Sequence, residues 1–182
     1  MGEAVSVSFR PLADADLPML HRWLNDPGVV QWWEGDDVSW EAVVADYGSA
    51  SAGNEEHWVA VIDGRDVGWI QCYAIADSPE ERAAWLPLGV DETAAGIDYL
   101  IGEPMERGQG VGSAMIRAFV DQVVFGTHPT WTQAAASPYA ANVASCRALE
   151  KAGFRFAGIV DDPEGPCRLL VIDRPASLED SS

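Results

Sequence analysis

The chain has 182 residues, and at a typical ~150 residues per domain it is expected to form one domain over 1–182, with a core that needs no staples. Hydrophobic residues make up 48% and charged residues 22%, as in ordinary globular proteins; no apolar run reaches the ~18 residues of a membrane span, so a membrane is not an expected partner. Lys and Arg number 11 against 29 Asp and Glu, a net charge of −18, which repels a phosphate backbone and attracts a cationic small molecule, although acidity also serves solubility alone.

Val5 to Phe9 alternate strictly between apolar and polar and predict a strand. Ala13 to Asp16 offer a helix start, and Leu17, Leu20, Trp23 and Leu24 recur at helical spacing until Asn25-Asp26-Pro27-Gly28 ends the run. An acidic, Trp-rich loop, Trp32-Trp33-Glu34-Gly35-Asp36-Asp37, leads to a short helix opened by Ser39. Trp58–Ile62 and Val67–Tyr73 predict a hairpin around Asp63-Gly64-Arg65-Asp66. Asp77 to Thr93, with Pro79, Pro87 and several acids, reads as a long loop. A strand over 96–102 follows, then a helix from about Gly110 to Phe125 and a strand over 131–136. The helix over 142–152 is closed by Gly153, a final strand pair covers 154–160 and 168–173, and the tail from about 177 to 182 is expected to fray. The order β-α-α-β-β-β-α-β-α-β-β implies an α+β fold, a mixed, mainly antiparallel sheet flanked by helices.

Cys72, Cys146 and Cys167 have no metal-ligand spacing and suggest free thiols in a reducing, cytoplasmic setting. His21, His57 and His128 share no metal or triad spacing, so no metal is expected. Met1-Gly2 with Ser6 matches a myristoylation pattern too short to carry weight.

The sharpest motif is Arg107-Gly108-Gln109-Gly110-Val111-Gly112 between a strand and a helix. Glycines there let backbone N–H groups crowd an anion at a helix N-terminus, so the segment reads as a pyrophosphate cradle reinforced by Arg107 and the Ser113 hydroxyl. The Walker pattern requires Gly-Lys-Ser/Thr, and the only lysine of the chain is Lys151. The dinucleotide fingerprint requires glycine where Ser113 stands. A tight turn with no ligand is the competing reading of the glycines.

Arg107, Gly110 and Gly112, with Asn142 opening a helix that ends in Glu150-Lys151-Ala152-Gly153-Phe154, resemble the signatures of the GNAT N-acetyltransferase superfamily. Trp23-Leu24-Asn25, Trp32-Trp33-Glu34-Gly35, Gly68 with Gln71 and Tyr73, Gly96-Ile97-Asp98 and Pro163-Glu164-Gly165-Pro166 are similar to its aminoglycoside 6′-N-acetyltransferase branch. The resemblance implies acetyl-CoA as cosubstrate, a polycationic aminoglycoside as acceptor, antibiotic resistance as outcome, and a monomer or homodimer. It also implies two central strands that splay apart, with the backbone of Tyr99, Leu100 and Ile101 pairing with the pantetheine arm and Arg107 to Ser113 with Asn142 holding the cosubstrate. Asp98, a carboxylate among Ile97, Tyr99 and Leu100, is the expected base, with the alternatives that it only anchors a cation or faces solvent. The acceptor is expected on Trp32, Glu34, Gln71, Tyr73, Trp85, Asp91, Asp98 and Glu164.

One departure stands out: where the superfamily usually carries a tyrosine as general acid, this chain has Leu149, which leaves Tyr99 or Tyr139 as substitutes. The competing functions are acetylation of a protein N-terminus or a siderophore lysine, and a non-catalytic acetyl-CoA-binding module.

Overall fold

The computed structural model describes residues 5–33 and 35–177. Seven strands form one sheet in the order β1-β2-β3-β4-β5-β7-β6. The strands are β1 (Val7–Pro11), β2 (Glu56–Ile62), β3 (Arg65–Ala74), β4 (Ala95–Ile101), β5 (Gln133–Ala136), β6 (Arg155–Val160) and β7 (Cys167–Asp173). The helices are α1 (Leu17–Leu24), α2 (Pro27–Val30), α3 (Trp40–Tyr47), α4 (Pro79–Trp85), α5 (Val111–Phe119), α6 (Phe125–Thr127) and α7 (Val143–Lys151). A wide π-type turn, Val120–Val124, joins α5 to α6. Every pairing is antiparallel except β4 with β5, which makes the sheet mixed and mainly antiparallel, as expected.

Alternation along β3 sends its side chains into two layers. Ile70 and Cys72 pack under α5 and α7 with Met115, Ile116, Phe119 and Leu149. Trp69 points the other way, into a cluster with Leu20, Trp23, Leu24 and Leu100 beneath α1, α2 and α3. Each such side chain contributes roughly 1.5–3 kcal/mol on burial, so this pattern holds the helices on both faces. Arg10 forks onto Asp16 at 2.7 and 2.9 Å and reaches Asp66 at 3.0 Å, tying β1 to the entry of α1 and to β3.

Three local expectations change. The long loop over 77–93 contains α4, with Pro79 in its first turn, where a missing N–H costs nothing. Its Trp85 enters a third cluster with Ile75, Val90, Ala94, Ala135, Leu169 and Val171. Asp26 does end α1, but its side chain accepts from Gly28 N at 2.9 Å and starts α2. β5 begins at Gln133 rather than Trp131, because the Trp131 N–H donates to the His128 carbonyl and the Trp131 carbonyl accepts from Arg174.

β4 and β5 stay paired only through Ala95–Ala134 and Gly96–Ala135. Beyond Gly96, β4 runs on to Ile101 against β3 alone, while β5 ends at Ala136. The splay opens on one side of Asp98 to Ile101.

Candidate active site

Two clefts meet at this splay. The first, of about 300 Å³, is lined by Trp32, Trp33, Asp36, Tyr47, Trp69, Gln71, Ile97, Asp98 and Tyr99, and by Ala136 to Tyr139 with Asn142 and Ser145. The second, of about 370 Å³, runs from Tyr99, Leu100 and Ile101 past Arg107, Gly108, Gly110, Gly112 and Ser113 to Asn142, Ser145, Arg147, Ala148 and Lys151. Trp32, Trp33, Tyr99, Asn142 and Ser145 belong to both walls, so the clefts are continuous.

Asp98 lies opposite Gln71 in the β3–β4 ladder, and Gln71 Nε2 donates to Asp98 Oδ2 at 2.8 Å. Burial pushes the Asp98 carboxyl up, the Gln71 hydrogen bond opposes this, and the charges of Glu81, Asp36 and Glu55 push it further up. Those acids come from three separate segments, so the acidic field of the sequence does converge here. The neighbouring aromatic wall is built on Trp69, with Tyr47 at 5.4 Å and 83°, Trp33 at 6.5 Å and 65°, and His57 stacked at 5.8 Å and 25°. Desolvation raises the Tyr47 hydroxyl to about 12.

The second cleft has the opposite character. Gly108 and Gly110 sit at φ 74° and 77°, the left-handed region that admits glycine most freely, and Gly110 caps α5. The turn therefore presents the first N–H groups of α5, together with the positive end of its dipole, to the cleft. Gly112 faces Ala148, where an added Cβ would lie 3.5 Å from the Ala148 methyl, which lets α5 and α7 pack closely. Arg147 and Lys151, four residues apart on α7, are exposed on this wall.

Arg107 departs from its expected part as a free phosphate ligand. Its Nη1 pairs with Asp26 Oδ1 at 2.8 Å, Nε donates to the Ile101 carbonyl at 3.1 Å and Nη2 donates to the Gly102 carbonyl at 3.1 Å. It lines the cleft while bracing the end of β4 against α2. Val111 is buried in the main core, so only its backbone is on offer to a ligand, and Gln109 does not line the cleft. Ser113 Oγ donates to the Gly110 carbonyl at 3.1 Å, closing the first turn of α5. Leu100 buries its side chain in the α1–α3 cluster and leaves its backbone at the splay.

The acceptor candidates divide. Trp32, Gln71 and Asp98 share the first cleft. Tyr73 is on the same face of β3 but buried, its ring covering Gly96 so closely that a Cβ there would overlap it; it flanks Asp98 and does not line the cleft. Trp85 is buried in the third cluster, far from a role in contacting an acceptor, because α4 turns it inward. Asp91 is spent on a turn, accepting from Thr93 N at 2.8 Å and from Thr93 Oγ1 at 2.7 Å. Glu164 stands exposed in the β6–β7 turn, and its charge reaches Tyr139 at the rim of the first cleft. Glu34 lies outside the described residues.

Leu149 is fully buried in the main core, so α7 offers no acid there. One turn earlier, Ser145 Oγ lies 2.5 Å from the Tyr99 hydroxyl, where the two clefts join. Asn142 Oδ1 accepts from Ser145 N at 3.2 Å and caps α7. Tyr47, Trp69 and Ser145 also line the site, and Glu81 acts on Asp98 through its charge, although none of the four is an expected member. Of these only Ser145 has a local signal, its spacing of three from Asn142 on one helix face.

The GNAT acetyltransferase domain model matches residues 13–162. Aminoglycoside N(6′)-acetyltransferase type 1 of Klebsiella pneumoniae is 30% identical over 94% of this chain and 85% of its own length. The N(6)-hydroxylysine O-acetyltransferase of Escherichia coli is 28% identical over 92% of this chain, which spans 52% of that protein. Among solved structures, AAC(6′)-Ib in complex with paromomycin and acetyl-CoA superposes with a TM-score of 0.81 at 30% identity, covering 93% of this chain and 94% of the other. AAC(6′)-Ib with coenzyme A and kanamycin gives a TM-score of 0.80 at 29% identity, covering 93% and 95%. With the splayed sheet, the glycine turn at α5 and these matches together, the chain belongs to the GNAT acetyltransferase family.

Proposed function

We propose that the protein transfers the acetyl group of acetyl-CoA to an amine of an aminoglycoside, the 6′ amine, in a ternary complex. The observation that carries this reading is the position of Asp98, on β4 where a cleft fringed by acids meets a cleft fringed by Arg147, Lys151 and the N-terminus of α5. In a chain of net charge −18 such segregation suits an anionic cosubstrate on one side and a polycation on the other. The N(6′)-acetylating relatives support the same substrate class.

In this mechanism α5, Arg147 and Lys151 hold the phosphates of the cosubstrate, while the free side of β4 from Tyr99 to Ile101 accepts its extended arm as an added strand. Trp32, Trp33, Tyr47 and Trp69 flank the sugar rings, and Asp36, Glu55 and Glu81 neutralise ammonium groups. Asp98 takes a proton from the acceptor ammonium, and the raised carboxyl is a stronger base than an ordinary aspartate. The amine then attacks the thioester carbonyl, the C–N bond forms, the C–S bond breaks, and the nitrogen gives up its second proton to solvent to leave the neutral amide. The leaving thiolate collects its proton from the Tyr99 hydroxyl, which is replenished through Ser145.

The test is thiol release with acetyl-CoA and a panel of aminoglycosides with and without a 6′ amine, alongside spermidine, short peptides and N-hydroxylysine, with products identified by mass. Acetylation of drugs bearing a 6′ amine and not of those lacking one is expected. Activity confined to peptides or hydroxylysine would leave acyl transfer standing and overturn the aminoglycoside reading.

A further inference from the structure

Glu56 and Cys72 are direct partners in the β2–β3 ladder and so project from the same face of the sheet. That face is opposite to the one carrying Gln71, since neighbours along a strand point to opposite sides. The turn after α6 brings His128 to the same place, its ring stacked on Trp131 at 3.7 Å and 16°, with its carbonyl accepting from Arg174.

Three donor atoms of different chemistry converge there. His128 Nε2 lies 3.0 Å from Glu56 Oε1, Cys72 Sγ lies 3.9 Å from Glu56 Oε2, and all three ligand atoms fall within 4.8 Å of one another. The approach of His128 Nε2 to the carboxylate lacks hydrogen-bond geometry, leaving this buried nitrogen without a hydrogen-bond partner. The Cys72 thiol has a single long contact and is fully buried. A buried, unsatisfied ring nitrogen weighs against folding, and a cation between the three groups would satisfy all of them at once.

We propose that Glu56, Cys72 and His128 bind one divalent transition-metal ion of the zinc class, with water completing a tetrahedral set. Sulfur, imidazole and carboxylate form the donor combination that selects such an ion over calcium or magnesium. Bonds of roughly 2.0–2.3 Å from a tetrahedral centre place ligand atoms about 3.5 Å apart, so the present spacing needs only small side-chain shifts. Glu56 and His128 keep side-chain exposures of 40% and 24%, so the site lies close to the surface. On binding, the S–H proton of Cys72 leaves to solvent as the metal–sulfur bond forms. Glu56 and the thiolate then balance the two positive charges.

The ion would tie the start of β2, the middle of the sheet and the turn before β5 together. Cys72 adjoins Gln71, which holds Asp98, and Glu56 adjoins Glu55, whose charge reaches Asp98. The site is therefore a brace behind the reaction centre and takes no part in acetyl transfer. It does not depend on the acceptor proposed above.

The test uses the full chain, freed of metal with a chelator and titrated with Co²⁺ and then Zn²⁺. One ion per chain is expected, with a near-ultraviolet thiolate-to-cobalt band that Zn²⁺ abolishes and a thermal midpoint that rises with Zn²⁺. His128→Gln, at a position less buried than Cys72, should weaken Zn²⁺ binding at least tenfold, and Glu56→Gln should do the same. Cys72→Ser should remove the near-ultraviolet band, while its burial makes the histidine variant the cleaner measure of affinity. Absence of the band in the parent chain, or unchanged Zn²⁺ affinity in His128→Gln and Glu56→Gln, overturns the proposal.

Discussion

Gln71 and Asp98 face each other across the β3–β4 ladder, and the amide of the first holds the carboxylate of the second at 2.8 Å. Burial and the acids around Asp98 make it harder to ionise, whereas Gln71 makes it easier. The ionisation of the proposed base is thus a balance between groups that can be changed one at a time.

Asp98→Asn should lower kcat by about 10²–10⁴, the usual contribution of general base catalysis, with acetyl-CoA affinity retained. The same variant should be more stable at neutral pH. With its carboxyl raised on folding, the folded chain binds a proton where the unfolded chain has released it, so stability falls as pH rises from the ordinary aspartate value through the raised one. Asparagine removes that term and can still accept from Gln71. The thermal midpoint of the variant should therefore exceed that of the parent at neutral pH, and the difference should close at acid pH. Thermal melts at acid and neutral pH read it directly, and a loss of stability at neutral pH would contradict the account.

Changing the neighbours should move the acid limb of kcat/KM in opposite directions. Gln71→Leu withdraws the hydrogen bond that favours the carboxylate, so the limb should shift to higher pH. Glu81→Gln removes a charge that disfavours it, so the limb should shift to lower pH. Identical profiles in both variants would show that another group titrates in the rate.

Much of this site is legible in the order of the amino acids. Asp98 is legible because a carboxylate flanked by apolar strand residues needs a reason to be there, and the glycine turn because its spacing is local. Trp85 and Asp91 mislead together, since Pro79 and the acids around it look like a loop, while Pro79 starts α4 and turns Trp85 inward. Tyr47 and Trp69 reach the cleft, and the charge of Glu81 reaches Asp98, from separate elements, and no spacing along the chain announces that. The same holds for Glu56, Cys72 and His128, which only the sheet and the packing of α6 bring together. The part played by Arg107 is half visible: its place in the motif is local, but its partner Asp26 is 81 positions away.

With Leu149 buried, the Tyr99 hydroxyl is the proposed proton donor. Desolvation raises it above the ordinary tyrosine value, so it stays protonated at neutral pH, and Ser145 lies close enough to pass a proton on. Tyr99→Phe should lower kcat about tenfold with little change in KM for acetyl-CoA, because a thiolate leaves readily without full protonation. Ser145→Ala should act in the same direction and more weakly. If Tyr139→Phe produced the loss and Tyr99→Phe did not, the role would pass to Tyr139.

Arg107 and the pair Arg147 and Lys151 all line the cosubstrate cleft, yet they should behave differently when truncated. Arg107 is spent on Asp26 and two backbone carbonyls, and losing charge-assisted bonds of this kind, partly buried, costs about 2 kcal/mol. Arg107→Ala should therefore lower the thermal midpoint as well as weaken acetyl-CoA binding, since the end of β4 and α2 are released together. Arg147 and Lys151 are exposed and make no ion pair among the described residues. Their alanine variants should melt as the parent does but raise KM for acetyl-CoA several-fold, with a shallower dependence on salt because fewer charges face the phosphates. A destabilised Arg147→Ala, or an Arg107→Ala that binds acetyl-CoA poorly while melting like the parent, would reverse the assignment of brace and clamp.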